Sequence, residues 1–136
     1  AMIDTGSSMI VLEPNTYDGV MGALTSLLHD CVSILDGSMV SCTCPSQRHF
    51  SKLPSLVINL IDESHTQIPL CMSPLEYMVE SMEILDGSIC VPALQRGSED
   101  QPVPIILGNS FMRAFYTHFD LANSRIGFAR SLQSPM

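Results

Sequence analysis

The feature that most constrains the fold is a short polar turn between two apolar runs near the amino terminus. Met2 and Ile3 precede the sequence Asp4-Thr5-Gly6-Ser7-Ser8, and Met9-Ile10-Val11-Leu12 follows it. Short apolar runs rich in β-branched residues and bounded by Gly and Ser are typical of buried strands. The pattern predicts a strand, a sharp turn and a second strand, with one carboxylate at the turn.

Most of the remaining chain also favours strands. Apolar runs predict strands over residues 56–61, 68–71 and 105–107, and a closing hairpin over residues 116–120 and 125–129. Asp-Gly pairs at residues 36–37 and 86–87 lie between apolar residues, which is a strong hairpin signal. The polar, proline-containing residues 95–104 are predicted to form an exposed loop.

Three segments have helical signals. Apolar residues recur at helical spacing over residues 14–29, where Asn15 or Thr16 can cap the start. Ser73 and Glu76 form a capping-box pattern around Pro74, and residues 110–115 predict a third short helix. We therefore expect one mainly β domain over residues 1–136, with two or three short helices.

Composition excludes several classes of function. The 46 % hydrophobic content of the 136 residues is enough to bury a core, and no apolar run reaches the roughly 18 residues that a membrane span needs. Fourteen acidic and six basic side chains give a net charge of −8, which repels phosphate backbones. We expect neither a membrane span in this segment nor nucleic-acid binding.

Five cysteines and four histidines raise the question of a metal site. Cys42 and Cys44 are separated by one residue, whereas structural zinc sites usually have two to four residues between such ligands. We expect no metal. One or two disulfides in an oxidising compartment are the simpler interpretation, and the odd number leaves at least one free thiol.

Asp4 has two interpretations. A carboxylate between apolar strands needs donors, and the hydroxyls of Thr5, Ser7 and Ser8 and the N–H of Gly6 are close in sequence. An ordinary Asx turn would use the same residues. Taken alone, these five residues favour the structural turn over a catalytic role.

A second segment changes that balance. The sequence Asp4-Thr5-Gly6-Ser7-Ser8 resembles the active-site motif of pepsin-like aspartic proteases, and Ile106-Leu107-Gly108-Asn109-Ser110, with the hairpin that follows it, resembles the closing segment of the same family. Because that closing segment belongs to the second lobe, the chain is similar to a C-terminal lobe with the pepsin-like fold. Residues 51–54 and 107–111 lean towards the plasmepsin-like branch.

The resemblance implies roles for individual residues. Asp4 would be a catalytic aspartate, supported by Gly6 and by a hydrogen bond from the Ser7 hydroxyl to its outer oxygen. The hydroxyl of Thr5 would bond to its counterpart in the other lobe. Gly6, Ser7 and Ser8 would flank a bound peptide, and Ile106 would line a side-chain pocket. Asn109 departs from the aspartate that the family usually has there.

The resemblance also implies a disulfide between Cys42 and Cys90. Both residues lie an even number of positions from the serines of the two hairpin tips, which points them to one strand face. Cys44 has the same parity and is the rival partner for Cys90.

The implied function is half of an aspartic endopeptidase that hydrolyses peptide bonds. Two carboxylates that share one proton would activate a water, so no cofactor is needed. The chain has a single Asp-Thr-Gly motif, so we expect its partner to be the N-terminal lobe of the same protease and the isolated chain to be inactive. The expected location is the secretory pathway, either secreted or in an acidic vesicle.

Three alternatives remain. The chain could belong to a catalytically inactive pepsin-like module that binds peptides. A homodimer of the retroviral-protease type would need a substrate-covering flap in each subunit, which the sequence does not offer. A serine or cysteine hydrolase is disfavoured because no Gly-x-Ser-x-Gly motif occurs.

Overall fold

The computed structural model of the chain describes residues 1–44, 47–84 and 87–132. Within these residues strands dominate, and three α-helices connect them: α1 (Pro14–Thr25), α2 (Pro74–Tyr77) and α3 (Asn109–Ala114). The strands are β1 (Met2–Ile3), β2 (Ile10–Leu12), β3 (His29–Ile34), β4 (Met39–Cys44), β5 (Leu56–Ile61), β6 (Gln67–Met72), β7 (Met78–Ile84), β8 (Gly87–Pro92), β9 (Leu94–Arg96), β10 (Ile105–Leu107), β11 (Phe115–Asp120) and β12 (Arg125–Arg130). The predicted mainly β fold is confirmed.

Four strands from distant parts of the chain form the sheet that carries the polar turn. Their order is β1-β10-β2-β9, with β1 parallel to β10, β10 antiparallel to β2, and β2 parallel to β9. The turn over residues 4–8 connects β1 to β2, and β10 lies between these two strands. A strand nearly a hundred residues away therefore separates the two arms of the turn.

The other strands form three further sheets. One has the order β3-β4-β8-β7, and the pairs β5-β6 and β11-β12 form two-stranded antiparallel ribbons. All the strands predicted from apolar runs are present, with bounds shifted by at most one residue at most ends. The closing hairpin β11-β12 pairs in full register from Phe115 opposite Arg130 to Asp120 opposite Arg125.

The core lies under one face of the sheet that carries the turn. Residues directly opposite each other in neighbouring strands share a face. Leu107 is opposite both Ile3 and Ile10, and Ile10 is also opposite Leu94. Leu107, Ile10 and Leu94 are at most 2 % exposed. Phe111 of α3 is also fully buried, so the helix that follows β10 is fixed by apolar packing.

An ion pair between a buried carboxylate, Glu76, and the partly exposed Arg130 connects the closing hairpin to α2. Glu76 accepts two hydrogen bonds from Arg130 Nη1, at 2.6 and 2.7 Å, and a third from the Ser73 backbone N–H at 2.8 Å. Arg130 also lies over the ring of Phe115, 4.5 Å from its centroid. The predicted capping residue Glu76 therefore also stabilises the end of the chain.

The first helix differs from its prediction at both ends. Pro14 occupies the first turn, and the residue before it, Glu13, takes the N-cap position without a side-chain cap, so Asn15 and Thr16 do not cap the helix. The helix ends at Thr25 because the chain from His29 onwards pairs with β4. Strand pairing thus overrides the apolar periodicity of residues 26–29.

The Asp36-Gly37 tip is a hairpin turn, as predicted. Asp36 and Gly37 both have positive φ, 55° and 82°, and the strands they connect pair from Ile34 opposite Met39. Leu85 and Asp86 of the second predicted tip lie outside the described residues. The strands on either side of that tip pair from Ile84 opposite Gly87.

The predicted loop over residues 95–104 is wrong at its start. Gln95 and Arg96 belong to β9 and pair with Val11 and Leu12. Polar side chains do not prevent a strand here, because the half-exposed face of the sheet tolerates them. The following residues 97–104 lie outside the strands.

The predicted Cys42–Cys90 disulfide is also wrong. Cys42 is bonded to Cys31 and Cys90 is bonded to Cys44. The two residues of the predicted pair do lie directly opposite each other in β4 and β8. However, β4 is a central strand, so Cys42 also has β3 beside it, where Cys31 lies with its Cα 4.1 Å away. Cys71 has the free thiol among the described cysteines, and it is exposed.

Candidate active site

Two strands position Asp4 at the edge of the core. Ile3 is opposite Leu107 in the parallel pair β1-β10, and the Asp4 backbone N–H continues this ladder by donating to the Leu107 carbonyl at 3.0 Å. Asp4 is therefore the residue at which the chain passes from β1 into the turn. It is partly exposed, in contrast with the buried Leu107 beside it.

The turn holds the carboxylate of Asp4 by both oxygens. The Gly6 N–H donates to Oδ1 at 2.9 Å, and the Ser7 hydroxyl donates to Oδ2 at 2.7 Å. The Ser7 bond, followed by the Gly6 bond, holds the pKa of Asp4 below its ordinary value of 3.8, against a small opposing effect of desolvation. Asp4 is therefore ionised at neutral pH in this chain, and its orientation is fixed.

The segment after β10 holds the turn in place by hydrogen bonds to the backbone carbonyls of the turn. Asn109 N–H donates to the Ser7 carbonyl at 2.8 Å, and the Ser8 carbonyl accepts from the Ser110 N–H at 3.0 Å and from the Ser110 hydroxyl at 2.7 Å. Gly108 fits because a Cβ there would lie closer than 3.0 Å to the carbonyl oxygens of Ser7 and Met9. The motif and the closing segment thus form one hydrogen-bonded unit.

Sequence reasoning missed Ser110. Its side chain is 1 % exposed, and its hydroxyl bonds to the Ser8 carbonyl over a separation of more than a hundred residues. The signal in the sequence was a hydroxyl residue in the first turn of a short helix, followed at once by the buried Phe111. Only the long-range bond shows that Ser110 supports the turn.

The other predicted site residues lie at the surface around the carboxylate. Thr5, Gly6 and Ser8 are exposed, and Ser7 is half-buried. Ile106 lies opposite Met2 on one side and Val11 on the other, on the face of the sheet that points away from Leu107. These three apolar residues are partly or largely exposed, so the turn is flanked by an apolar, solvent-facing strip.

A cavity lies elsewhere on the domain. It has a volume of about 450 Å³ and lies between α1, β3 and β4, and none of residues 1–8 nor Ile106 lines it. Among the described residues, no group of three or more His, Cys, Asp or Glu side chains could hold a metal ion.

A second aspartate, Asp62, also accepts hydrogen bonds within its own turn, but through one carboxylate oxygen only. Asp62 Oδ1 accepts bonds from the Ser64 N–H at 2.9 Å, the Ser64 hydroxyl at 2.8 Å and the Thr66 N–H at 2.9 Å. These bonds also lower the pKa of Asp62. What distinguishes Asp4 is the closing segment packed beneath its turn, so the pair offers a matched comparison between a candidate catalytic residue and an Asx turn.

No helix among the described residues is long and apolar enough to cross a membrane.

Comparison with known proteins gives consistent matches. A model of the eukaryotic aspartyl protease family matches residues 1–131. The mouse (Mus musculus) protein renin-2 is 33 % identical over 135 residues, which cover 94 % of this chain and 29 % of renin-2. Plasmepsin VII of Plasmodium berghei is 25 % identical over 141 residues, covering 98 % of this chain and 26 % of plasmepsin VII. The chain thus spans less than a third of these relatives.

The fold is matched by a solved structure of lower sequence identity. Basic 7S globulin from soybean superposes with a TM-score of 0.68 at 20 % identity, covering 97 % of this chain and 34 % of the globulin. At this identity the match concerns the fold alone.

Proposed function

Since this chain belongs to the eukaryotic aspartyl protease family, we propose that it supplies one half of an aspartic endopeptidase, with Asp4 as one of the two catalytic carboxylates. The observation that carries the proposal is the Asp4 carboxylate, held by Gly6 and Ser7 on a turn that the closing segment supports. This arrangement orients the carboxylate and leaves it partly exposed to solvent.

In the proposed mechanism Asp4 works with a second carboxylate from another lobe. Two carboxylates within about 3 Å cannot both remain ionised, so the pair holds one proton. The ionised member takes a proton from water, whose oxygen attacks the carbonyl carbon of the peptide, while the protonated member donates to the carbonyl oxygen. Collapse of the tetrahedral intermediate then breaks the C–N bond, and a proton moves to the amine. The proton belongs to the pair and not to Asp4 alone.

The exposed residues around Asp4 have proposed roles in this assembly. Thr5 is exposed next to the carboxylate, and we assign its hydroxyl to a contact with the partner lobe. Gly6, Ser7 and Ser8 would lie along a bound peptide backbone, and Ile106, on the apolar strip, would contact a substrate side chain. Peptide or protein is accordingly the proposed substrate class, and the reaction requires no cofactor.

We assign the chain to the C-terminal lobe, over residues 1–136. The support is the order of its motifs, in which the Asp4 turn is followed about a hundred residues later by the closing segment that packs under it. The share of less than a third of renin-2 is compatible with one lobe of a longer protease. The partner would then be the N-terminal lobe of the same protein.

The two disulfides favour folding in an oxidising compartment. We therefore propose the secretory pathway as the location, with either secretion or an acidic vesicle as the destination.

A module that binds peptides without cleaving them is the second candidate. It is favoured by the single Asp-Thr-Gly motif of this sequence, because cleavage would need a second carboxylate that this sequence does not supply. In such a module the Asp4 turn would keep its structure while the partner lobe lacks the second carboxylate.

The experiment compares Asp4→Asn with Asp62→Asn in the complete protein. Asn keeps the size, and its amide oxygen can accept from the Gly6 N–H while its NH2 can donate to the Ser7 hydroxyl oxygen. It cannot share the proton of the pair. We expect Asp4→Asn to reduce kcat to below a few per cent of wild type with KM and melting temperature nearly unchanged, and Asp62→Asn to retain activity. Equal turnover in both variants would return Asp4 to the role of an Asx turn.

Two further assays separate the remaining readings. Ile106→Ala should lower the selectivity for a substrate side chain that contacts Ile106 by about 1–3 kcal/mol, measured as the ratio of kcat/KM between two substrates, while activity persists. The isolated chain should not hydrolyse peptides. Turnover by the isolated chain that Asp4→Asn abolishes would instead support a homodimeric enzyme, and an inactive complete protein that binds peptides would support the binding module.

A further inference from the structure

The turn that carries Asp4 is held at both of its ends by one short segment. At the first end the Asp4 N–H donates to the Leu107 carbonyl at 3.0 Å. At the second end the Ser8 carbonyl accepts from the Ser110 N–H at 3.0 Å and from the Ser110 hydroxyl at 2.7 Å. Because Leu107 and Ser110 are close neighbours in the chain, the segment between them sets the distance between the two ends of the turn.

One of these bonds depends on the identity of a side chain. Any residue except proline would supply the backbone N–H at position 110, whereas the second bond needs a hydroxyl there. Ser110 is buried next to the fully buried Phe111. Met9 Sδ lies 3.8 Å from the Ser110 hydroxyl oxygen, so the Ser8 carbonyl is by far the closer acceptor.

The hydroxyl of Ser110 is not needed to satisfy the Ser8 carbonyl. That carbonyl already accepts from the Ser110 N–H, so removal of the hydroxyl leaves no unpaired acceptor. A carbonyl oxygen has two lone pairs, and here one residue donates to it twice. The contribution of the second bond is therefore to fix the direction of the Ser8 carbonyl.

The Ser8 carbonyl is linked to the Asp4 carboxylate through Ser7. The backbone of Ser7 is held by its N–H, which donates to the Asp4 carbonyl at 3.2 Å, and by its carbonyl, which accepts from Asn109 at 2.8 Å. The Ser7 hydroxyl then reaches Oδ2 of Asp4 at 2.7 Å. Hydrogen bonds weaken steeply as their geometry departs from the optimum, so this bond depends on where the backbone of residues 7 and 8 is held.

Hydrogen bonds rather than nearby charges control the Asp4 carboxylate. The Ser7 bond is the main cause that lowers the pKa of Asp4, followed by the Gly6 bond, and desolvation opposes both. The strands β1, β2 and β10 carry no titratable side chain, and Arg113, the charged residue of α3, does not contribute to the shift. A change in the Ser7 bond is therefore visible in the titration of Asp4.

We propose that Ser110 is a positioning residue of the candidate active site: by holding the Ser8 carbonyl, its hydroxyl keeps the Ser7 hydroxyl on Oδ2 of Asp4. The geometric part of this inference concerns the described chain alone. Its catalytic consequence rests on the proposed function, because a displaced Ser7 would let the Asp4 carboxylate turn away from the second carboxylate of the pair.

The first experiment follows the titration of Asp4 by NMR of carbon-13-labelled aspartate side chains, with the Asp4 signal identified by its loss in Asp4→Asn. Ser7→Ala gives the full effect of losing the bond to Oδ2. We expect Ser110→Ala to move the pKa of Asp4 in the same direction, upwards towards the ordinary 3.8, but by less. Asp62 titrates in the same spectra and has its own turn bonds, so its pKa should stay unchanged unless the whole fold loosens.

Three further variants separate the hydroxyl from packing. Ser110→Thr and Ser110→Val add the same volume at a buried position, but only threonine keeps the hydroxyl. Since any packing strain is common to both, we expect the Asp4 pKa in the threonine variant to lie closer to wild type than in the valine variant. Ser88→Ala removes a buried hydroxyl that has no hydrogen-bond partner among the described residues, and it should leave the Asp4 pKa unchanged.

The second experiment measures kinetics in the proposed two-lobed protease. We expect Ser110→Ala to lower kcat by about three- to tenfold with KM within about twofold of wild type, and Ser110→Thr to retain most of the activity. An unmoved Asp4 pKa in Ser110→Ala, or equal pKa values in the threonine and valine variants, would overturn the positioning role whatever the function of the chain.

The two proposals fail in different ways. A moved Asp4 pKa with an unchanged kcat in Ser110→Ala would overturn the catalytic consequence of the positioning role. A wild-type two-lobed protein without turnover would refute the proposed protease function, whereas the positioning role would still be decided by the titration of Asp4.

Discussion

The tightest contact beneath the candidate site predicts the effect of adding one methyl group at Gly108. Its φ of −96° is accessible to any residue, so the position requires glycine for reasons of space and not of backbone conformation. A Cβ would lie closer than 3.0 Å to the carbonyl oxygens of Ser7 and Met9. These are backbone atoms, and they cannot move aside by a change of rotamer. In Gly108→Ala the turn over residues 7–9 must therefore separate from the closing segment.

The cost follows from the bonds that this separation breaks. Asn109 bonds to the Ser7 carbonyl at 2.8 Å, and Ser110 makes two bonds to the Ser8 carbonyl, at 3.0 and 2.7 Å. Each is worth about 0.5–1.5 kcal/mol, and inserting a methyl group into a packed position typically costs about 1–3 kcal/mol by itself. The clash is relieved either by strain around the new methyl group or by breaking these hydrogen bonds, so the two costs do not add in full. We expect a loss of about 3 kcal/mol in the free energy of unfolding.

Urea unfolding of Gly108→Ala and of Gly19→Ala tests this reasoning. Gly19 lies in α1 with no atom within 4 Å of a new Cβ, so its replacement should stabilise the protein by up to about 1 kcal/mol. In the proposed two-lobed protease Gly108→Ala should also lower kcat, because the Asp4 N–H bonds to Leu107, the residue before the glycine. A loss below about 1 kcal/mol for Gly108→Ala would refute the claim that the turn and the closing segment are one unit.

Three further predictions concern stability. Glu76→Gln should cost about 2–3 kcal/mol in urea unfolding, because the Glu76 carboxylate is 2 % exposed where it pairs with Arg130. Asp18→Asn should cost under about 1 kcal/mol, because both partners of its pair are exposed. Equal costs would contradict the argument that burial of the Glu76 carboxylate makes the difference. The pKa values of four aspartates are lowered in the folded protein: Asp4, Asp18, Asp62 and Asp120. The stability that they contribute is complete above their ordinary value of 3.8 and is lost as the pH falls through the lower folded values, so the urea concentration at the unfolding midpoint should decrease as the pH is lowered below about 4. The decrease should be less steep in Asp62→Asn, and an unchanged slope in that variant would contradict this account. Non-reducing peptide mapping should recover Cys31–Cys42 and Cys44–Cys90, with Cys71 as a free thiol. In the chain-entropy model the Cys44–Cys90 bond, with a sequence separation of 46, stabilises the fold by about 4 kcal/mol, and the Cys31–Cys42 bond, with a separation of 11, by about 3 kcal/mol. A recovered Cys42–Cys90 peptide would show this pairing to be wrong.

Much of the fold could be predicted because the signals are local. Apolar runs fixed β5 and β10, and Asp36-Gly37 marked a turn, since only certain residues accept positive φ there. The end of α1 and the strand β9 could not be predicted in this way. Both depend on a partner strand distant in sequence, which overrides the local preference of the segment.

The cysteines show the same limit. Parity along the strands placed Cys42, Cys44 and Cys90 on matching faces, but it could not rank the partners of Cys42. That choice depended on β4 being central, with Cys31 on the strand at its other side.

By itself the sequence determined which residues of the candidate site are chemically capable: a carboxylate at position 4, with a glycine and a serine able to hold it. These contacts span two or three residues, so the chain order fixes them. The tertiary structure decided that Gly108 and Ser110 lie against this turn. Asp62 also accepts hydrogen bonds within its own turn, but among the described residues no hydrogen bond from a distant segment to that turn is found. The physical reason is that a turn makes its own hydrogen bonds, whereas the place of that turn in the molecule depends on a strand about a hundred residues away that pairs between its two arms.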